Sequence, residues 1–278
     1  MTGRRLHDAL LRALTSAELR RGLEAPEADD RLAVILGAEE AEVLRRADGE
    51  RLRRLARFLG RHFYRERIVR LFAASRALAR ARGSDPLELL ATPAFDALLE
   101  SAEVGSAATA EQVAVVVEGW ILETLGGLPF TADLVQYEGA LFRAEAGPRR
   151  WGDGGGPTEG IPVRAVGTRV VSLDWDVIAL VTAVRCGEIP LPVPTRAATR
   201  LLVALSADGR VSTLRCPEAV LRLLDALDGT RSAEAVAREL GLSESEAGPA
   251  LRQLAAVGAV TWGATSSRAS LRSSGSTP

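Results

Sequence analysis

The sequence contains no lysine and no asparagine, and it holds few histidines, cysteines and aromatic residues. Among its 278 residues there are two cysteines, two histidines and 4% aromatic residues, and all 35 basic residues are arginine. Two cysteines give no disulfide framework, so we expect a reduced, cytoplasmic setting. Two histidines cannot supply a metal centre with several imidazole ligands, although an all-carboxylate site stays open. We therefore expect no cofactor in this chain and no catalysis by the chain alone.

Long apolar runs and an excess of charge are absent as well. The most apolar stretch, VAVVVEGWILETL, is too short for a membrane span and contains Glu118. The N-terminal segment lacks the apolar core and the cleavage site of a signal peptide. With 35 basic and 36 acidic residues the formal net charge is -1, so the chain as a whole is not attracted to nucleic acid or to an anionic membrane. We expect no membrane association, and nucleic-acid binding only through a local patch.

The first half of the sequence has the apolar spacing of helices. From residue 5 to about residue 146, apolar residues lie three and four positions apart, as Leu52, Leu55 and Leu59 do. The segment AGPRRWGDGGGPTEGIP follows, and its glycines and prolines indicate a flexible domain boundary. The spacing therefore predicts an all-α helical bundle before this boundary.

Beyond the boundary the apolar period changes. TRLLVAL and RVSTLR alternate as two strands joined by the tight turn SADG. Three helical segments follow, and the third opens with a capping box from Ser243 to Glu246. Pro249 lies within this third helix and is expected to bend it or to delay its start.

The predicted fold class is α+β, with an N-terminal all-α helical bundle followed by a small winged-helix-like mixed domain of antiparallel strands plus three helices. The predicted boundaries are residues 1–146 for the helical domain, 147–162 for the linker, 163–263 for the mixed domain and 264–278 for a polar, disordered tail.

Three helices beside a strand pair suit either a DNA reader or a peptide reader. A DNA reader needs basic and amide side chains on its third helix, but that helix begins with Glu244 and Glu246. It offers only Arg252 and Gln253 afterwards. Residues 196–262 contain eight arginines and eight acidic residues, so the module is neutral. The strand pair also precedes the helices, an order that lets a peptide add to a free sheet edge. A winged-helix DNA-binding transcriptional regulator is the alternative interpretation.

Two parts of the sequence resemble a known family. Residues 199–262, above all LLDALDGTRSAEAVARELG, look like the peptide-recognition element of ribosomal peptide biosynthesis, typified by the peptide chaperone of pyrroloquinoline quinone assembly. The runs RLARFLGRHFYRERIVRLFAASRAL and LPFTADLVQYEGALFRAEAG, followed by a mixed domain, resemble the partner proteins of multinuclear non-haem iron oxidases in methanobactin and 3-thiaglutamate-type pathways. The resemblance covers most of the chain and includes no catalytic signature.

This resemblance implies a non-catalytic subunit in a heterodimer with an iron-dependent oxidase. The subunit would hold the leader of a precursor peptide while the oxidase modifies a peptide cysteine, and the iron would belong to the oxidase. Within LPFTADLVQYEGALF, Asp133, Tyr137 or Glu138 is a candidate contact with the oxidase. The alternative is that this segment is a core helix of the bundle.

The strand RVSTLR and the third helix are the candidate peptide-binding elements. Strand addition uses backbone hydrogen bonds and side chains at alternate positions. The side chains predicted to meet the peptide, if Leu214 faces inward, are those of Val211, Thr213 and Arg215. On the third helix one stripe contains Ala247, Ala250, Leu251 and Leu254. Core packing explains the two leucines equally well, whereas the alanines are small enough to let a peptide backbone approach.

Overall fold

The structure is a computed structural model that describes residues 3–25, 30–146 and 161–263. The described residues up to Ala146 form nine α-helices and one short 3₁₀ helix. They are α1 Gly3–Thr15, α2 Ala17–Glu24, α3 Asp30–Leu36, α4 Ala38–Arg45, α5 Gly49–Leu71, α6 Ala73–Arg80, the 3₁₀ helix Pro86–Ala91, α7 Pro93–Ser101, α8 Ala107–Leu125 and α9 Thr131–Ala146. The prediction of a helical first half is confirmed for these residues.

Polar side chains set the starts of several of these helices. The Asp48 carboxylate accepts hydrogen bonds from the first backbone N–H groups of α5, and the Ser106 hydroxyl accepts one from Thr109 in α8. Such caps satisfy N–H groups that have no partner within the helix. The chain therefore breaks into separate helices where its polar residues interrupt the apolar spacing.

The described residues after the boundary mix strands and helices, which confirms the α+β class. They are β1 Ile161–Arg164, β2 Arg169–Trp175, α10 Val177–Cys186, β3 Arg196–Leu205, β4 Val211–Arg215, α11 Glu218–Ala226, α12 Ala233–Glu239, α13 Glu244–Ala256 and β5 Val260–Gly263. The capping box of Ser243 and Glu246 is present, and Pro249 lies inside α13 without delaying its start. β1 begins at Ile161, so the last two residues of the predicted linker belong to a strand. The rest of the predicted linker and the predicted tail lie outside the described residues.

The strands form two antiparallel sheets. β1 pairs with β5, and the second sheet has the order β2-β3-β4 with β3 in the centre. Side chains of β3 alternate between two cores: Leu201 and Val203 join the larger one, whereas Leu202 and Ala204 join the smaller one. The three-stranded sheet is therefore covered on both faces.

The larger core joins the helical half to the sheet. Phe72 and Phe142 lie in contact, with ring centroids 5.5 Å apart, and the same cluster includes Val171 of β2 and Leu201 of β3. α9 is packed against β2 and β3. The smaller core lies between the other face of the sheet and the helices α11, α12 and α13.

Candidate peptide-binding site

β4 is an edge strand of the three-stranded sheet. At one end of its pairing with β3, the Ser206 N–H donates to the Arg210 carbonyl over 2.9 Å. At the other end, the Cys216 N–H donates to the Arg200 carbonyl over 2.8 Å. Because bonded and non-bonded pairs alternate along an antiparallel ladder, the even-numbered residues of β4 bond to β3. The backbone N–H and C=O groups that point away from β3 are those of Val211, Thr213 and Arg215.

The side chains of β4 alternate between the two faces of the sheet. Val211 packs against the larger core and Leu214 against the smaller one, so Thr213 and Arg215 share the face of Val211. Val211 and Thr213 are half-buried, and Arg215 is exposed. The strand positions predicted from the sequence are thus the positions whose backbone faces the open edge.

The predicted positions on α13 are mostly core residues. Leu251 and Leu254 are buried members of the smaller core, and Ala250 is half-buried against it. Ala247 is only 3% exposed, so it offers no surface to a peptide backbone. This burial corrects the expectation that the alanines of α13 line an open groove. Of the two alanines, only Ala250 has surface that a peptide can contact.

The structure also places α13 and the predicted β4 side chains on opposite faces of the sheet. α13 packs into the core that receives Leu214, whereas Val211 packs into the other core. An added strand would send its own side chains alternately to both faces. A peptide on β4 would therefore direct one side chain to the face of Thr213 and the next to the face on which α13 packs.

The opposite edge, β2, is partly closed by a side chain. Since the odd-numbered residues of β3 bond to β2, the even-numbered residues of β2 direct their backbone groups outward. The Asp133 carboxylate of α9 accepts hydrogen bonds from the N–H groups of Asp174, over 2.6 Å, and Trp175, over 2.7 Å. The Asp133 carboxylate thus connects α9 to β2, and the contact of this half-buried residue with a partner stays a prediction.

The other two predicted partner contacts are inside the protein. Tyr137 is buried and Glu138 is 0% exposed, so neither side chain is accessible to another protein in this structure. The Glu138 carboxylate accepts hydrogen bonds from the N–H groups of Ala74, over 2.8 Å, and Ser75, over 3.1 Å, at the start of α6. Burial raises the pKa of Glu138 to about 7, against the effect of these hydrogen bonds. The alternative interpretation, a core helix, describes these two residues of α9.

A cleft of about 550 Å³ lies between α8, α9 and the start of β2, next to the β2 edge. Arg143 in its wall donates to Glu111 over 2.8 Å and binds Glu118 with two nitrogens. These contacts raise the pKa of Arg143, and the hydrogen bond that Arg143 donates to Glu118 has the largest effect. A Cβ atom at Gly139 would lie 1.8 Å from the Glu118 carboxylate, so the glycine leaves room for this ion pair. No sequence pattern predicts the cleft, because Arg143 and Glu118 are 25 positions apart and belong to no motif.

Both cysteines are free thiols, and Cys186 is exposed. Cys216 is buried, and burial raises the pKa of its thiol, which disfavours the thiolate. Within residues 3–25, 30–146 and 161–263, no three His, Cys, Asp or Glu side chains are grouped to hold a metal ion. No helix in this part of the chain is both long and apolar enough to cross a membrane.

No protein-family model matches the chain, and no curated protein has significant sequence similarity to it.

Proposed function

We propose that this chain is the non-catalytic, cytoplasmic subunit that binds the leader of a ribosomally made precursor peptide. In the proposed complex it forms a heterodimer with an iron-dependent oxidase, which holds the iron and modifies a cysteine of the peptide. The chain's part in the reaction is to bind and orient the peptide. The resemblance of residues 199–262 to peptide-recognition elements supports this proposal.

The observation that carries the proposal is the open edge of β4. Three residues of β4 direct N–H and C=O groups outward, and a peptide strand can pair with these groups. Both faces of the three-stranded sheet pack against other elements, so the edge is held on a packed sheet. Main-chain pairing would supply affinity, and side-chain contacts at Thr213, Arg215 and Ala250 would supply specificity.

The rival function is DNA binding by a winged-helix-like arrangement of α11, α12 and α13. Arg252 and Gln253 are exposed on α13 and are of the types that contact phosphates and bases. Glu246 at the start of α13 is also exposed, and its hydrogen bonds with Ser243 lower its pKa, which keeps it negative near neutral pH. A carboxylate at the end of the helix that would approach the duplex opposes phosphate binding.

Hydrogen exchange with the two candidate ligands would test the function. The probe is the short cysteine-containing peptide expected to be encoded beside this chain, compared with a DNA duplex. Peptide binding should slow amide exchange at Val211, Thr213 and Arg215, because their outward N–H groups become hydrogen-bonded. Duplex binding with a steep salt dependence and no protection of β4 by the peptide would instead support the DNA reader.

A further inference from the structure

The long helix α5 carries an exposed face with the spacing of a helix-packing seam. Its exposed residues at alternating steps of three and four form what we call the outer seam: Leu55, Phe58, His62, Arg65 and Val69. This spacing places the side chains along one side of a helix over about 21 Å. The opposite side of α5 is buried in the protein through Leu52, Tyr64 and Ile68. α5 therefore has a packed face and a second, exposed face with helix-pairing spacing.

Phe58 is the most exposed apolar residue of the outer seam. It is 70% exposed, and its ring is stacked with the His62 ring, with centroids 6.5 Å apart and planes 8° apart. Leu55 and Val69 extend the exposed apolar surface to both sides. A single exposed aliphatic residue is ordinary, but aligned apolar residues around an exposed phenylalanine are typical of an interaction surface.

Positive charge surrounds this apolar surface. Arg51 and Arg54 lie at its N-terminal end and Arg65 lies within it, and all three are exposed. Other arginines of α5, such as Arg57 and Arg61, form ion pairs with acidic residues, but none of the ion pairs among the described residues includes Arg51, Arg54 or Arg65. On this side of α5 the acidic residue is Glu66, which contacts His62 over 3.3 Å.

The charge identifies the kind of molecule that fits this face. A second copy of the chain, related by a two-fold axis, would bring the same unpaired arginines together. The chain's own residues 264–278 contain two arginines and no acidic residue, so they are not complementary either. A helix with aliphatic residues facing the seam and carboxylates beside them would bury Phe58 and pair the free guanidinium groups.

We propose that the outer seam of α5 docks an acidic amphipathic helix of a partner protein. The proposal rests on the proposed function in one respect: the docked helix belongs to the oxidase subunit. It assigns subunit association to α5, which lies in the helical half, and peptide binding to β4. The buried residues Tyr137 and Glu138 have no part in this interface.

Two designed helical peptides can probe the seam without the partner. Each has three heptads with leucine at the a and d positions, and they differ only in carrying glutamate or arginine at e and g. Fluorescence anisotropy at nanomolar labelled peptide would measure binding to the full chain. We expect the acidic peptide to bind, the basic one not to bind, and Phe58→Ser or Arg65→Glu to weaken the acidic peptide by about tenfold or more. Ile189→Ser is the matched control, since Ile189 is 94% exposed and lies outside α5.

Several results would overturn this docking site. They are equal binding of the two peptides, absence of acidic-peptide binding, and binding that Phe58→Ser leaves unchanged. Dimerisation of the chain, or its binding to phosphatidylserine vesicles, that Phe58→Ser abolishes would assign the seam to a second copy or to a membrane instead. Binding of the precursor peptide should be the same in Phe58→Ser as in the unchanged chain. A chain that binds the precursor but not the acidic helix would thus refute the docking site alone, and the converse would refute the leader-binding proposal alone.

Discussion

The two edges of the three-stranded sheet differ in how many of their outward backbone groups are hydrogen-bonded to other parts of the chain. At β2, the Asp133 carboxylate binds two backbone N–H groups, and Arg169 at the start of the strand donates to Glu111 of α8 over 2.8 Å. At β4, the outward backbone groups of Val211, Thr213 and Arg215 have no such partner among the described residues. Proteins commonly protect an exposed edge strand against pairing with other chains. The β2 edge is thus protected at one end, at Asp174 and Trp175, whereas all three outward residues of β4 are open, and we propose β4 as the edge that binds the peptide.

The protected end of the β2 edge depends on α9, which carries both Asp133 and Glu138. Asp133 connects α9 to β2, and Glu138 connects the same helix to the start of α6. Substitutions in α9 should therefore affect folding and the β2 edge, whereas substitutions in β4 should affect peptide binding. The experiments below test this division.

The largest effect is expected from removal of the Glu138 carboxylate. Glu138→Ala leaves the N–H groups of Ala74 and Ser75 buried without their acceptor, so the free energy of unfolding should fall by about 3 kcal/mol. Urea denaturation at pH 5, where the folded chain still holds the Glu138 proton, measures this change. Glu66→Ala, at an exposed position, should change the free energy by less than about 0.5 kcal/mol. A loss at Glu138 as small as that control would show that the cap does not hold α9.

Glu138 should also make stability depend on pH. Its pKa rises from 4.5 to about 7 in the folded chain, so the folded state holds this proton more tightly than the unfolded state. Its contribution is full below pH 4.5, falls as the pH rises, and is lost above pH 7, with a total of up to about 3 kcal/mol. The stability difference between the unchanged chain and Glu138→Gln, measured by urea denaturation at pH 5 and pH 8, should therefore be smaller at pH 8. A difference that grows with pH would contradict a raised pKa.

A glycine after α13 tests the close contact between the end of this helix and the end of β3, the strand that pairs with β4. Gly258 has φ +80°, and a Cβ atom there would lie 2.0 Å from the Leu205 carbonyl oxygen at the end of β3. Gly258→Ala should lower the free energy of unfolding by at least about 2 kcal/mol, from backbone strain plus this clash. Gly241 has φ +69° with nothing near its Cβ position, so Gly241→Ala should cost only about 1 kcal/mol. Equal thermal shifts for the two variants would show that the contact with Leu205 has no effect.

The smallest effect on stability is expected at the protected end of the β2 edge. Asp133→Ala removes the acceptor for the Asp174 and Trp175 N–H groups. Because Asp133 is partly exposed, water can replace it, and the cost should be about 1 kcal/mol. Amide exchange at Asp174 and Trp175 should become faster, while exchange within β4 should not change. Faster exchange in both strands would mean that the two edges are not independent.

The sequence predicted local structure better than it predicted the site. The helical spacing, the hairpin of β3 and β4 and the capping box of α13 depend on neighbours in the chain, and each was recognisable. The burial of Ala247 and Glu138 depends on elements that are distant in sequence, such as α6 against α9, and no periodicity reports such contacts. A carboxylate between apolar residues on α9 is equally compatible with an exposed contact and with a buried cap. The cleft beside β2 was missed for the same reason, because its ion pair joins two helices.

Proline substitutions at the two edges test the central claim most directly. Thr213→Pro removes an outward N–H of β4 and no hydrogen bond to β3, and Ser172→Pro does the same at β2, whose residue Ser172 is opposite Arg200. With thermal melting to confirm that both variants are folded, binding of the precursor peptide would be measured by isothermal titration calorimetry. We predict that Thr213→Pro weakens binding by at least about tenfold, or about 1.4 kcal/mol, and that Ser172→Pro leaves it unchanged. Loss of binding in Ser172→Pro with full binding in Thr213→Pro, or no loss in either variant, would contradict peptide addition at β4.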